Sequence, residues 1–472
     1  MYVTLNSEYV LRGWKGIPYG LVNTKTGSVD FFDAEAFHLL EWLDGEIDLD
    51  LVLMTPGQKA FLARLLDGHY AAACDQARPV REPQRYRKSR GAYIQCVHWS
   101  ITGGCNLKCR HCYMSAPKHK YHDPDTEQCL ALIRQMAEAN VAGVTLTGGE
   151  PLLRKDFWFL ADALADAGIP ILQLYTNGIL IDDAFFENME KRNLNFEFVL
   201  SFDCLNCHDW LRGIPGIEEK TIAAIRRIRQ KGYAVSIETA LHGGNIDQLL
   251  PTYGLMKELG ISHWKTAQIF DAGEWKDAVV HGPGASHKAL SPETLYDAYT
   301  VLLRRYMDDG QPLSLQLDGF FAGTKGGGYG IPYIRTQAGA ESAEGLKKHS
   351  CLSCRVHPYI LPDGRLLPCP AYTGTSLEAE LPKLYDAGAS LADIYSDGGG
   401  AFLRLVNIRA EEVIAHNEPC AACEHRFECG GGCRACAVIG GNGALGRDPF
   451  RCHYFKEGGR RRLDGLSAAP GS

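Results

Sequence analysis

The chain has 472 residues, 45% of them apolar and 22% charged, with a formal net charge of -7. That length suits about three domains, the composition suits a globular protein with a substantial core, and the acidic balance gives no reason to expect nucleic-acid binding. No apolar run approaches ~18 residues and the start Met-Tyr-Val-Thr-Leu-Asn-Ser-Glu lacks a basic-then-apolar signal, so no membrane span and a cytoplasmic location are expected.

Residues 1–75 read as a small α+β unit. Tyr2 to Leu11 and Gly20 to Phe32 alternate apolar with polar residues around the turn Asn23-Thr-Lys-Thr-Gly27, which predicts strands. Ala34 to Leu43 sets Phe37, Leu40 and Leu43 at helical spacing, and Pro56 to Leu66 repeats that pattern. Residues 76–91, rich in Arg, Pro and Gln, read as a linker.

Residues 92–310 alternate short apolar runs with longer amphipathic ones. Strands are predicted at Ile94 to Ile101, Gly143 to Thr147, Ile169 to Tyr175, Phe196 to Phe202, Ala234 to Ala240 and Ile261 to Ile269. Helices lie between them, such as Asp125 to Asn140, where Asp125 and Gln128 match a capping box. Six βα units imply an α/β fold, a partial (β/α)6 TIM barrel whose site lies at the C-terminal strand ends. Residues 311–350 read as a bridging region, 351–455 as a cysteine-rich domain and 456–472 as a tail.

The cysteines number 17. An odd count in a long chain without an export signal points to metal ligands rather than a disulfide framework. Cys105, Cys109 and Cys112 form a CxxxCxxC triplet after the first barrel strand. Three such thiolates can hold three irons of a four-iron cluster and leave the fourth open. Zinc is the competing ligand, although structural zinc favours paired CxxC knuckles.

The triplet followed by Thr147-Gly148-Gly149-Glu150-Pro151 resembles the radical S-adenosylmethionine (radical SAM) superfamily. The resemblance implies that the open iron binds SAM, whose reductive cleavage yields a 5'-deoxyadenosyl radical. It implies SAM contacts from Gly148, Gly149 and Glu150, from His111 at the position of an adenine-contacting aromatic, and from Asn177, Ser201 and Arg212 near later strand ends. The competing reading of the Gly-Gly-Glu-Pro run is a turn followed by a helix with proline at N1.

In the C-terminal third, Cys354-x9-Gly364-x4-Cys369 precedes Cys420-x2-Cys423-x5-Cys429-x3-Cys433 and Cys452. This spacing resembles the SPASM extension, which implies two auxiliary clusters and so three [4Fe-4S] clusters in all. The family's ligation implies Cys354, Cys369 and Cys433, completed by Cys351, for the first, and Cys420, Cys423, Cys429 and Cys452 for the second. Cys436 is left over, with replacement of Cys452 an open alternative. Cys74, Cys96 and Cys129 read as buried or incidental thiols.

Among SPASM proteins, sulfatase maturation is disfavoured by Thr147 and Pro370, which stand where that group has Gln and Asp. The N-terminal unit resembles winged-helix-like domains that bind leader peptides by strand addition. A peptide maturase is therefore expected, with a precursor peptide and a flavodoxin- or ferredoxin-type reductant as partners. Thioether crosslinking, as in sactisynthases, leads; carbon–carbon crosslinking and epimerisation follow, the last with Cys204 as a thiol donor. From a different class, a non-catalytic iron–sulfur electron carrier would need neither the open triplet nor the Gly-Gly-Glu run.

Overall fold

A computed structural model describes residues 1–270, 272–276, 290–330 and 343–467. Parts of the bridging region and of the tail fall outside these residues.

The N-terminal unit has strands β1 (Tyr2–Leu5), β2 (Tyr9–Trp14), β3 (Ile17–Asn23), β4 (Val29–Phe31) and β5 (Ala71–Cys74), with helices Ala34–Trp42 and Pro56–Asp67. Its own core gathers Val3, Leu11, Leu21, Phe37, Leu40 and Leu65. The presumed linker is instead part of this unit. Arg87–Lys88 forms β6, parallel to β2, and buried Gln84 donates to the carbonyls of Leu5, Asn6 and Tyr9. Buried Arg12 donates to Pro83 O at 2.7 Å and Arg85 O at 3.1 Å. The segment looked unstructured because it is fastened by hydrogen bonds, which apolar patterning does not register.

A junction then seats the unit on the barrel. Trp14 Nε1 donates to Asn140 O (3.1 Å), and Asn140 Nδ2 returns to Gly13 O (3.0 Å) and Arg87 O (2.9 Å). Satisfying both sides of a buried polar contact makes this seam costly to open.

All six predicted barrel strands form: β7 (Val97–Ser100), β8 (Val144–Thr147), β9 (Ile171–Thr176), β10 (Glu197–Ser201), β11 (Val235–Leu241) and β12 (His263–Gln268). They lie side by side in chain order and parallel. The predicted capping box also forms, with Gln128 N donating to Asp125 Oδ1 at 2.8 Å and Asp125 N to Gln128 Oε1 at 3.0 Å. The sheet is wider than six strands. β13 (Ser314–Leu317), inside the presumed bridging region, continues it in parallel beyond β12, and β14 (Phe321–Gly323) follows antiparallel. At the other edge β16 (Tyr359–Ile360) pairs parallel with β7 and antiparallel with β17 (Leu366–Leu367), β15 being Tyr329–Gly330. The cysteine-rich C-terminal segment is thus hydrogen-bonded into the barrel sheet.

On the inner face, side chains from alternate strands meet, as in a barrel. The rings of His98 (β7) and Tyr175 (β9) lie 6.5 Å apart, and Tyr175 Oη donates to Glu238 (β11) at 3.2 Å.

Candidate active site and auxiliary thiol groups

The loop after β7 runs alongside the loop after β8 in the same direction, continuing the parallel pairing of the two strands. Gly149 N donates to Thr102 O and Glu150 N to Gly104 O, both at 2.9 Å. This approach dictates the two glycines. A Cβ at Gly149 would stand 2.1 Å from Gly104 O, and one at Gly148, with φ +149°, 2.5 Å from Thr102 O. Asp123, which sequence reasoning passed over, ties down the same loop through Thr102 Oγ1 (2.9 Å) and Gly103 N (2.7 Å).

Glu150 has no exposed surface. Its carboxylate accepts from Thr176 Oγ1 at 2.9 and 3.0 Å, Asn177 N at 2.8 Å and Leu152 N at 3.1 Å. It also caps the short helix Pro151–Leu153, with proline at its start, so a turn and helix do follow the two glycines. Through these bonds the Glu150 carboxylate braces the β8 and β9 ends. Burial pushes its pKa up to about 7, against the hydrogen bonds that lower it.

Cys105, Cys109 and Cys112 are half-buried on the braced loop. Cys105 Sγ accepts from Leu107 N (3.4 Å), Cys112 Sγ from Ala116 N (3.3 Å), and Arg212 Nη1 lies 3.7 Å from Cys109 Sγ. Asn177 Nδ2 donates to Asn106 Oδ1 at 2.7 Å, linking the β9 end to the triplet. Burial pushes the Cys105 thiol up to about 12 and raises Cys109 and Cys112 as well. Three sulfurs faced by N–H donors and a guanidinium, in a setting that disfavours bare thiolates, fit an iron–sulfur cluster.

Arg212 is committed elsewhere than expected. Its Nε and Nη2 donate to buried Asp203 at 2.6 and 3.0 Å, leaving Nη1 toward Cys109. Asp203 also accepts from Ala240 N (3.1 Å). Against the burial that would raise it, Arg212 and His208 hold the Asp203 carboxyl well below the usual range. His111 is near the same group, and its Nδ1 is buried without a hydrogen-bond partner; burial lowers its pKa to about 3, keeping the imidazole neutral. Ser201 ends β10 opposite Glu238. Cys204 must be corrected. It has no exposed surface, lies in the main core and interacts with Thr252 of the outer helix Leu249–Glu258. A thiol so enclosed cannot hand hydrogen to a substrate radical.

Sequence reasoning also missed the inner-face pair Glu238–Lys265, 3.0 Å apart. Both keep about a third of their side-chain surface accessible (36% each). Desolvation opposes the charge on Glu238, but Lys265 outweighs it. The available signal was a single acidic residue in one predicted strand and a single lysine in the next.

The C-terminal thiols form two groups. Cys420, Cys423, Cys429 and Cys452 line one cavity, with Asp448 and Arg447. In the other group Cys354 interacts with both Cys351 and Cys369, while Cys433 feels Cys351 and adjoins Cys436. Four sulfurs around one cavity again suit a cluster. Cys96 and Cys129 are buried, and Cys74 is half-buried on β5.

Residues 99–256 match the family model of the radical SAM superfamily. The chain carries a radical SAM domain. Around that domain, the AdoMet-dependent heme synthase of Methanosarcina barkeri is 25% identical over 372 residues, covering 76% of this chain and 96% of that protein. Mycofactocin maturase MftC of Mycolicibacterium smegmatis is 27% identical over 362 residues, 75% of this chain and 81% of that one. The crystal structure of Streptococcus suis SuiB bound to precursor peptide SuiA shares the fold over 95% of this chain and 99% of its own, with a TM-score of 0.63 and 16% identity. No helix among the described residues is long and apolar enough to cross a membrane.

Proposed function

We propose that the chain modifies a ribosomally made precursor peptide, with the N-terminal unit as a winged-helix-like leader-binding domain and the C-terminal thiols as a SPASM domain holding two auxiliary clusters. The observation that carries this reading is the N-terminal unit. It has its own core, is clamped to the barrel through Trp14 and Asn140, and lies within the 95% of the chain that shares the fold of SuiB. Its sheet ends in the short edge strand β4, which pairs only with β3 among the described residues. An extended leader can add there through main-chain hydrogen bonds.

When bound, SAM and its cluster supply the radical that removes a substrate hydrogen. The chain's own residues position that chemistry. Asp203 fixes Arg212 beside Cys109, and Asn177 fixes the triplet loop. His111 and Ser201 are left to meet SAM. Glu238 and Lys265 give the inner face a carboxylate and an ammonium that can hold peptide polar groups and receive a thiol proton. Thioether formation would join a substrate cysteine sulfur to carbon with loss of two hydrogens, the carbon's hydrogen atom to the 5'-deoxyadenosyl radical and the thiol proton to Glu238, while a cluster held by the C-terminal cysteines would take up the remaining electron.

The test is anaerobic incubation of the reduced, reconstituted protein and SAM with a short cysteine-containing peptide sought among the open reading frames beside its gene. A mass loss of about 2 Da with loss of one alkylatable thiol is expected. Retained thiol with loss of two hydrogens would favour carbon–carbon crosslinking, and unchanged mass with inverted stereochemistry epimerisation. The heme synthase similarity motivates a second reading, tetrapyrrole modification, and an iron porphyrin substrate run in parallel separates it: turnover of the porphyrin with an untouched peptide would overturn the peptide reading.

A further inference from the structure

Two short helices near the first C-terminal thiol group begin alike. Cys351 caps Leu352–Val356, with Cys354 three residues on; Cys433 caps Arg434–Ile439, with Cys436 three residues on. In each turn the two thiols are close enough to interact. The helix Arg434–Ile439 packs on the turn Pro370–Tyr372 that follows Cys369, and Tyr372, buried there, feels Cys354, Cys369 and Cys433. Cys433 in turn feels Cys351. Cys436 is absent from the lining of the cavity formed by Cys420, Cys423, Cys429 and Cys452, so it belongs with Cys433 rather than in place of Cys452. Through Cys433, Cys436 thus stands as a fifth thiol beside a site where a four-iron cluster takes four.

We propose that Cys436 is a reserve ligand of the first auxiliary centre, able to replace Cys351 on its cluster. This rests on the reading of the C-terminal thiols as cluster ligands. Cys351 stands at the cap of one turn and Cys436 in the first helical turn of the other. Loss of one of these thiolates would then be made good by the other, and the cluster would keep four protein ligands.

The experiment uses the full chain with Cys105→Ala, Cys109→Ala and Cys112→Ala, which removes the open-iron cluster, reconstituted anaerobically with iron and sulfide. Iron per chain and the electron paramagnetic resonance signal of the dithionite-reduced protein are read with and without cyanide, which binds an iron lacking a protein ligand. This background should hold about eight irons with a cyanide-insensitive signal. Adding Cys351→Ala or Cys436→Ala alone should change neither. Adding both should halve the iron or make the signal cyanide-sensitive, while the second cluster's signal reports that the domain remains folded. Iron loss or cyanide sensitivity in either single variant overturns the proposal, as does a double variant identical to the background. A background without iron overturns instead the cluster reading itself.

Discussion

Replacing Glu150 by Gln isolates the cost of a carboxylate that has no solvent. Its pKa, about 7 in the folded protein against an ordinary 4.5, is raised by burial, so folding favours the protonated acid. Below pH 4.5 both states are protonated and nothing is lost; as the pH rises from 4.5 through 7 the folded state is progressively penalised. At 1.36 kcal/mol per unit the full penalty reaches about 3 kcal/mol, of which about 2.5 develops between pH 5 and pH 8. Gln does not titrate. It keeps one carbonyl oxygen for Leu152 N or Asn177 N and places an amide against the other donor, a fixed loss of about 1 kcal/mol that does not vary with pH. The stability of the Gln variant relative to wild type should therefore improve by about 2.5 kcal/mol from pH 5 to pH 8. Urea unfolding of the metal-free protein, followed by tryptophan fluorescence at both pH values, measures it. A difference that stays constant with pH would show that water reaches the carboxylate and that the bracing described for it is wrong.

Triple replacement of Cys105, Cys109 and Cys112 by Ala should abolish 5'-deoxyadenosine release yet leave about two thirds of the iron, measured by chromatography and iron assay. Asp203→Asn removes the partner of buried Arg212 and should cost about 3–5 kcal/mol, seen as a lower denaturant midpoint together with weaker SAM binding. Arg12→Met leaves the Pro83 and Arg85 carbonyls unsatisfied, at about 1–3 kcal/mol; limited proteolysis should then cut first between residues 81 and 90. Cys204→Ala should leave turnover and product stereochemistry unchanged, because the thiol is closed into the core; a change in either would restore its donor role.

What the sequence revealed was local. The six barrel strands follow from apolar runs bounded by turns, and the Asp125–Gln128 box is a four-residue signal realised as written. What it hid depends on partners distant in the chain. Tyr359–Ile360 is a strand of two residues that exists because β7 offers it a ladder, and no propensity within the segment announces that. Gly148 and Gly149 suggested a close approach of backbone, and the fold adds one that the sequence did not announce, to the backbone of Thr102 and Gly104. Arg212 was a plausible charge for a carboxylate, and the carboxylate it meets is Asp203, brought round by the helix His208–Arg212. The thiol spacings were legible where the thiols stand within a few residues of one another, as in Cys105–Cys112 and Cys420–Cys433; the closeness of Cys436 to the first group required the fold.

The geometry of the sheet also bears on how the thiol groups communicate. β7 leads into the Cys105–Cys112 loop, and β16, its parallel neighbour, stands between Cys354 and Cys369, with Tyr359 opposite His98 and Ile360 opposite Trp99. Tyr359 Oη donates to Ser100 Oγ at 3.2 Å and lies 3.2 Å from the hydroxyl of Tyr113, the residue after Cys112. Shifting one thiol group against the other would break these buried bonds with no water to replace them, so their separation is fixed by the fold rather than by a hinge. Lys265, which feels Cys369 from one side, holds Glu238 on the other, and Glu238 pairs across the sheet with Ser201. The accessible charges of the inner face therefore link the end of β10 to Cys369. An ion pair this exposed adds little to stability on its own, so under the proposed function its place along that line suits proton and charge handling better than folding.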